Sequence, residues 1–445
     1  MSRPPEAPPD FAPADREGSL EAPTRRPLAW RDAEFYDVEA LERELERVYD
    51  ICHGCRRCFS LCNAFPTLFD AVDASAGGEV AGIEKKVYWQ VVDHCYLCDM
   101  CFMTKCPYVP PHPWNVDFPQ LMLRAKAVRA RTHGLTFRER ALAATDSVGR
   151  IAGIPVVAEL VNAVNRTAAG RVLLEKTLGV ARSAPLPTFH ARTARQRLAQ
   201  SAAQPAPQSA APARGRVALF TTCYGNRNDP ALAEDLVAVF RHNGIEVTLV
   251  GAERCCGMPR LELGDLEAVA KLKEHNIPQL IAAVEAGYDL VAPIPSCVLM
   301  FKQELPLMYP EDAQVRAVAG RFYDPFEYLM RRHQAGLLRT DFKAPLGTVS
   351  YHVGLKTRDV LRLVPGTTVE AIERCSGHNG TYGVKREFRA ASMKIGRPVV
   401  QRVESAAADH YASDCPMAGE QIASGLAEGR LPEHPLRLLR IAYGL

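Results

Sequence analysis

The chain places eight of its cysteines in two short runs near the N-terminus, and the two runs share nearly the same spacing. Cys52, Cys55, Cys58 and Cys62 lie in "CHGCRRCFSLC", and Cys95, Cys98, Cys101 and Cys106 in "CYLCDMCFMTKCP". Two-residue gaps between the first three thiolates let one tight loop wrap a cube of iron and sulfide, with its amides turned toward the cluster sulfurs. In two-cluster proteins of this kind the fourth cysteine of each run ligates the other cluster. The spacing therefore predicts two 4Fe-4S clusters with crossed ligation. Cys52, Cys55, Cys58 and Cys106 would hold the first, and Cys95, Cys98, Cys101 and Cys62 the second. The first run keeps the C-x2-C-x2-C-x3-C gaps but has no proline after Cys62; the second has one extra residue before Cys106 and does carry Pro107. Structural zinc is the alternative for paired C-x2-C motifs. Zinc, however, has no need of a third cysteine two residues on and a fourth three or four later. A disulfide framework belongs to small secreted chains.

At 445 residues the chain can build two or three domains. Its net charge of +3 is too small to argue for nucleic acid. The opening "MSRPPEAPPDFAPADREG" has no apolar core of a secretory signal. No stretch reaches the ~18 uncharged apolar residues of a membrane span. The best, "IAGIPVVAELVNAV" from Ile151, is interrupted by Glu159. The expectation is a cytoplasmic protein that meets the inner face of a membrane only through a partner.

Composition shifts divide the chain. Residues 1–29 are Pro-rich and read as a disordered tail. Residues 30–114 read as a two-cluster ferredoxin-type domain, entered by a helix over 37–50. The 32 residues from Asn63 to His94 between the runs imply helices alternating with cluster loops. Residues 115–198 read as a helical connector; its basic run Arg124–Arg140 reads as a solvated helix face. The Ala/Pro/Gln/Ser segment gives a flexible linker over 199–215. Beyond it the pattern turns α/β. "RVALFTTC" and "DLVAPIPSC" each run a strand into a cysteine, the usual placement of active groups in open parallel sheets.

The α/β half hides a repeat. "ERCCGMP" at 253–259 matches "ERCSGHN" at 373–379, and Cys297 is answered by Cys415. The interval from Cys255 to Cys297 is 42 positions, and from Cys375 to Cys415 it is 40. "GTVSYHV" at 347–353 answers the strand before Cys223, but no cysteine follows it. This gives a first module over 216–340 and a second, degenerate one over 341–445. All 14 cysteines then have a place in a run or a repeat.

These features resemble the cysteine-rich CCG iron–sulfur proteins: heterodisulfide reductase subunits, the glycolate oxidase iron–sulfur subunit and the C-subunit of anaerobic glycerol-3-phosphate dehydrogenase. The resemblance rests on the paired runs, on Cys223 with the CCG at 255–257 and Cys297, and on "ERCSGHNGTYGVKREF" with "SDCPMAG". It implies an α-helical ferredoxin-type domain followed by an α/β domain of two pseudo-repeated CCG modules. It also implies a further iron–sulfur cluster in the C-terminal half, on Cys223, Cys255, Cys256 and Cys297. The sequence departs from the family twice: Met300 stands where a C-x2-C would end, and the Cys-His expected after "YHV" is missing. The second module keeps Cys375 and Cys415, with His352 or His378 beside them. Cys375, Cys415 and His378 are the candidate catalytic residues, His378 as a proton donor. The implied function is electron transfer in a multi-component oxidoreductase, between a flavoprotein dehydrogenase or other redox partner and a quinone-side or thiol/disulfide acceptor. A membrane quinone-linked subunit would be a further partner. No G-x-G-x-x-G follows the first strand, so a nicotinamide or flavin belongs to a partner. Arg56, Arg57 and Lys105 flank the cluster loops and would offset cluster charge. The alternative is a heterodisulfide-like reductase with catalysis at the C-terminal cluster.

Overall fold

The computed structural model describes residues 23–202, 215–427 and 430–445. The chain divides into two compact units, Met1–Arg129 and Ala130–Leu445. The N-terminal unit is helical: α1 (Val38–Cys55), α2 (Ala64–Asp73), α3 (Lys85–His94) and α4 (Phe118–His133), which runs past its end. Asp37 caps α1 by accepting the Ala40 N–H at 2.8 Å. Leu41, Leu45, Val48 and Tyr49 then fall on one face of α1 and are buried. They join Phe65, Leu68 and Phe69 of α2, Tyr88, Val91 and Val92 of α3, and Leu121, Met122 and Ala125 of α4 in one core.

Three boundaries differ from the sequence reading. The helix expected over 37–50 continues to Cys55, so Cys52 and Cys55 ride its last turns, and Arg56 ends it at φ 52°. The domain expected to close at 114 takes in α4, because that helix supplies core side chains. The basic run on α4 is not a solvated face at Lys126, which is buried and donates its Nζ–H to the Cys95 carbonyl. The tail expected over 1–29 is ordered where it is described. The Arg25 guanidinium lies on Asp99 at 2.7 Å and on Asp117 at 2.9 Å, with the Arg25 side chain only 10% exposed. The rest of that tail, 1–22, lies outside the described residues.

The C-terminal unit opens with five helices, α5 (Phe137–Ala143), α6 (Thr145–Ala152), α7 (Pro155–Arg166), α8 (Ala168–Leu178) and α9 (Ala194–Ala202). The expected linker largely falls on 203–214, outside the described residues; its first residues end α9. Among the described residues no single helix is long and apolar enough to cross a membrane; α6 and α7 pass that test only as a pair bent by 105°.

Next come β1 (Gly215–Leu219), α10 (Cys223–Arg227), α11 (Pro230–His242), β2 (Ile245–Leu249), α12 (Met258–Leu261) and α13 (Leu266–Glu285). They are followed by β3 (Asp289–Val291), α14 (Pro295–Leu299), α15 (Leu305–Met308), α16 (Ala313–Arg321), β4 (Phe322–Tyr323) and α17 (Pro325–Gln334). The last stretch holds β5 (Gly347–His352), α18 (Leu355–Leu361), β6 (Thr367–Ile372), α19 (Arg389–Ala406), β7 (His410–Ser413), α20 (Pro416–Ala423) and α21 (Pro435–Tyr443).

Two parallel sheets result, in the orders β2-β1-β3-β4 and β6-β5-β7. In each, the first strand is central and the next two flank it. Val217, Leu219, Phe220, Leu290 and Val291 are fully buried, as expected of strands covered on both faces. The second sheet packs Ile372 and Tyr411 against Val399, Val400 and Val403 of α19.

Candidate metal centres

All 14 cysteines are free thiols. In the N-terminal unit the structure gathers eight of them into two neighbouring sets. Cys52, Cys55, Cys58 and Cys106 line one cavity with Phe65, Phe69, Tyr108 and Arg57, of about 300 Å³ including its open mouth. Burial pushes the Cys52 thiol well above its ordinary value, and the charges of Cys106, Cys58 and Cys55 push the same way. Cys101 is raised by burial first and then by Cys95, Cys98, Cys58 and Cys62. Cys106 of the second run thus sits with the first run's first three cysteines, and Cys62 of the first run lies near Cys101 of the second. Cys58 adjoins both sets. The loop between the thiols is set by its backbone: Leu97 and Asp99 take φ of 56° and 59°, and the bidentate Arg25 contact holds Asp99 in place.

Of the three cations flanking these loops, Arg57 lines the cavity, whereas Arg56 is turned to an ion pair with Asp73. The Lys105 side chain lies outside the described residues. Lys126 was not singled out by sequence, yet its charge opposes the burial that raises Cys95.

In the C-terminal unit, cysteines sit past the carboxyl ends of parallel strands. Cys223 opens α10 after β1, with Thr222 at φ 65° capping that helix through the Gly225 N–H. Cys255 and Cys256 follow β2 and precede Gly257, whose φ of 104° is one that only glycine adopts freely. Cys297 lies on α14 after β3. Cys255, Cys256 and Cys297 are each 4% exposed. Cys223 and Cys256 lie beside Cys255, and Cys256 beside Cys297; this proximity, with burial, raises the Cys223 and Cys256 thiols and lowers Cys255. The Cys255 amide donates to Asp146 Oδ2 at 2.8 Å, and the buried Thr145 hydroxyl lies beside Cys223 and Cys255. Both belong to α6, in the stretch read as a mere connector.

The remaining candidates behave differently. Cys415 caps α20; burial pushes its thiol up to about 12, and it feels the charge of Cys297. The Cys375 sulfur accepts the Gly377 N–H at 3.3 Å and contacts Asn379 Oδ1 at 3.7 Å. His352 has both nitrogens engaged, Nε2–H donating to the Arg374 carbonyl at 2.9 Å and Nδ1 facing Ser413 Oγ at 3.4 Å. It ties the strand ends together and is not turned to a thiol set. His378 is buried, with neither nitrogen hydrogen-bonded among the described residues. Burial, then the Arg389 charge, hold it at about 4, so at pH 7 it is a neutral imidazole. It could offer a neutral N–H, not the imidazolium expected of a proton donor at that pH.

Soft thiolates select iron–sulfur clusters, zinc or copper(I), and the eight N-terminal thiols and the four around Cys255 are such donor sets. Among the described residues no three His, Cys, Asp or Glu side chains converge on a single metal ion. Four of the N-terminal thiols, Cys52, Cys55, Cys58 and Cys106, line a cavity, which suits a group with an extent of its own.

Comparison with known families matches residues 217–302 to the cysteine-rich domain named CCG. Residues 217–302 thus match a CCG cysteine-rich domain. The CCG match covers Cys223, the Cys255–Cys256 pair and Cys297, and ends before the second sheet. The C-subunit of anaerobic glycerol-3-phosphate dehydrogenase from Escherichia coli (strain K12) is 28% identical over 340 residues, covering 74% of this chain and 82% of the relative. Lactate utilization protein A of Bacillus pumilus is 28% identical over 219 residues, 45% of this chain and 87% of the relative. The B-subunit of the CoM/CoB fumarate reductase from Methanothermobacter marburgensis is 24% identical over 237 residues, 51% of this chain and 46% of the relative.

Proposed function

We propose that this CCG protein is the iron–sulfur electron-transfer subunit of a multi-component oxidoreductase. It would pass electrons between a flavoprotein dehydrogenase partner and a quinone-side or thiol/disulfide acceptor. What supports the reading is that Cys106 lines the cavity of Cys52, Cys55 and Cys58, while Cys62 lies near Cys101. Two 4Fe-4S clusters would be held there, and a third iron–sulfur cluster by Cys223, Cys255, Cys256 and Cys297. Bound clusters supply one-electron storage at potentials set by charge, hydrogen bonds and exposure.

The chain's own residues then have defined tasks. Apolar walls such as Phe65, Phe69 and Tyr108 keep water from the first site. Arg25 fixes the second loop through Asp99. The thiols around Cys255 lie in a buried pocket and would be deprotonated on binding a metal group there. The two sheets with a common strand order would be the two CCG modules, the second lacking a thiolate after β5. The names of the relatives, two of them subunits of a dehydrogenase and a reductase, support a redox-subunit role.

The test is anaerobic purification of the full chain with its native partners, followed by iron and acid-labile sulfide analysis and low-temperature EPR. Co-purification of a flavoprotein whose substrate reduces the clusters is expected. Zinc without sulfide would overturn the reading.

A further inference from the structure

The helices α5–α9 carry no cysteine, yet one of them reaches the C-terminal thiols. Helix α6 packs on α10, the helix that Cys223 opens. A Cβ at Gly149 would stand 2.6 Å from Arg227 Cδ, so glycine is what lets the two helices come this close. Arg227 Nη1 donates to the Gly149 carbonyl at 3.3 Å. At the start of α6 the Asp146 carboxylate accepts the Cys255 N–H at 2.8 Å, a contact spanning 109 positions of sequence. The helix start is therefore pinned to the Cys255–Cys256 pair from one side and to α10 from the other.

Thr145 occupies the first position of that turn. Its hydroxyl oxygen is buried and has no hydrogen-bond partner of good geometry among the described residues. The groups beside it are the sulfurs of Cys223 and Cys255. A buried hydroxyl left without an acceptor is costly. A cluster-bound thiolate sulfur is a better acceptor than a protonated thiol, because it carries negative charge.

We infer that Thr145 belongs to the C-terminal thiol site as a positioning residue, its hydroxyl donating to the cluster-facing sulfurs of Cys223 and Cys255 and so raising the reduction potential there. The inference rests on the reading of these four thiolates as an iron–sulfur site. The physical ground is that a donor aimed at a cluster sulfur stabilises the reduced state, which has one more negative charge, more than the oxidised state. The Asp146 carboxylate acts in the opposite electrostatic sense, so the effect of Thr145 is read with Asp146 in place.

The experiment compares Thr145→Val, which keeps the shape and loses the donor, with Thr145→Ser, which keeps the donor. Each full chain is purified anaerobically, its iron is measured, and its C-terminal cluster is titrated by EPR. The Val variant should keep its iron and shift the C-terminal midpoint to lower potential. The expected size is a tenfold change in the oxidised-to-reduced ratio at fixed poise, about 59 mV for a one-electron couple. The Ser variant should stay near the parent, and the N-terminal signals should not move in either. Iron retained with an unmoved midpoint in the Val variant would overturn the inference alone, as would equal loss of iron from both variants. A parent chain without C-terminal iron would overturn the underlying reading and the inference with it.

Discussion

Cys62 and Cys106 lie in different cysteine runs, yet Cys106 lines the first run's cavity and Cys62 lies near Cys101 of the second. If ligation is crossed, Cys62→Ala should mimic Cys98→Ala, and Cys106→Ala should mimic Cys55→Ala, each pair losing the same EPR signal and about four irons. A Cys62→Ala chain whose spectrum matches Cys55→Ala instead would show uncrossed ligation. The two runs are legible in sequence because a two-residue gap is a geometric statement about one turn of chain. Their helpers are not. Arg25 meets Asp99 and Asp117 across 74 and 92 positions, and no spacing rule links residues that far apart. The three side chains are only 10–17% exposed, so removing the arginine would strand two carboxylates, a loss of at most about 3–5 kcal/mol, the cost of breaking a fully buried pair. Thr145 and Asp146 escaped notice for the same reason, being polar residues at an ordinary helix start.

At the scale of elements, strands that run into cysteines were readable, because a continuous apolar run marks a strand buried on both faces. The basic run on α4 departs from a wet face only at Lys126, whose aliphatic stem lets the charged residue sit inside the fold with its tip on a carbonyl. His352 shows what a strand end can add. It closes β5 against β7 and the segment after β6, and burial lowers its pKa to about 4. Its ordinary value is 6.5, so between pH 6.5 and 4 the unfolded chain binds the proton and the folded one does not. The stabilisation is present above pH 6.5 and is lost as pH falls through that window, by roughly 3 kcal/mol in all. Native-state hydrogen exchange of the β5 amides should show this decline in the parent. In His352→Gln, which keeps a donor for the Arg374 carbonyl but cannot titrate, that part of the decline should be missing. An equally steep decline in the variant would assign the pH dependence to other groups.

The whole chain distributes its cysteines unevenly: eight in the N-terminal unit, four around Cys255, and two, Cys375 and Cys415, in the second sheet's loops. The unevenness bears on how many clusters the molecule carries. Each cubane takes four thiolates, and the second sheet offers two; of its candidate imidazoles His352 is engaged with backbone and Ser413, and His378 would bring the set only to three. Cys415 feels the charge of Cys297, so this thiol stands near the thiols at the ends of the first sheet's strands rather than apart from them. The full chain should therefore hold three clusters, ~12 irons. Replacing Cys375 and Cys415 together by Ser should leave that number unchanged. If the second module still shapes the surface through which electrons leave, the same double variant should deliver electrons to its acceptor more slowly, with the EPR spectra of all three clusters intact. Stopped-flow reduction by the partner, followed by reoxidation, would separate entry from exit. A loss of about four irons from the double variant would instead mean that the degenerate module binds a cluster of its own. Weight would then shift to disulfide chemistry at a two-cluster C-terminal site.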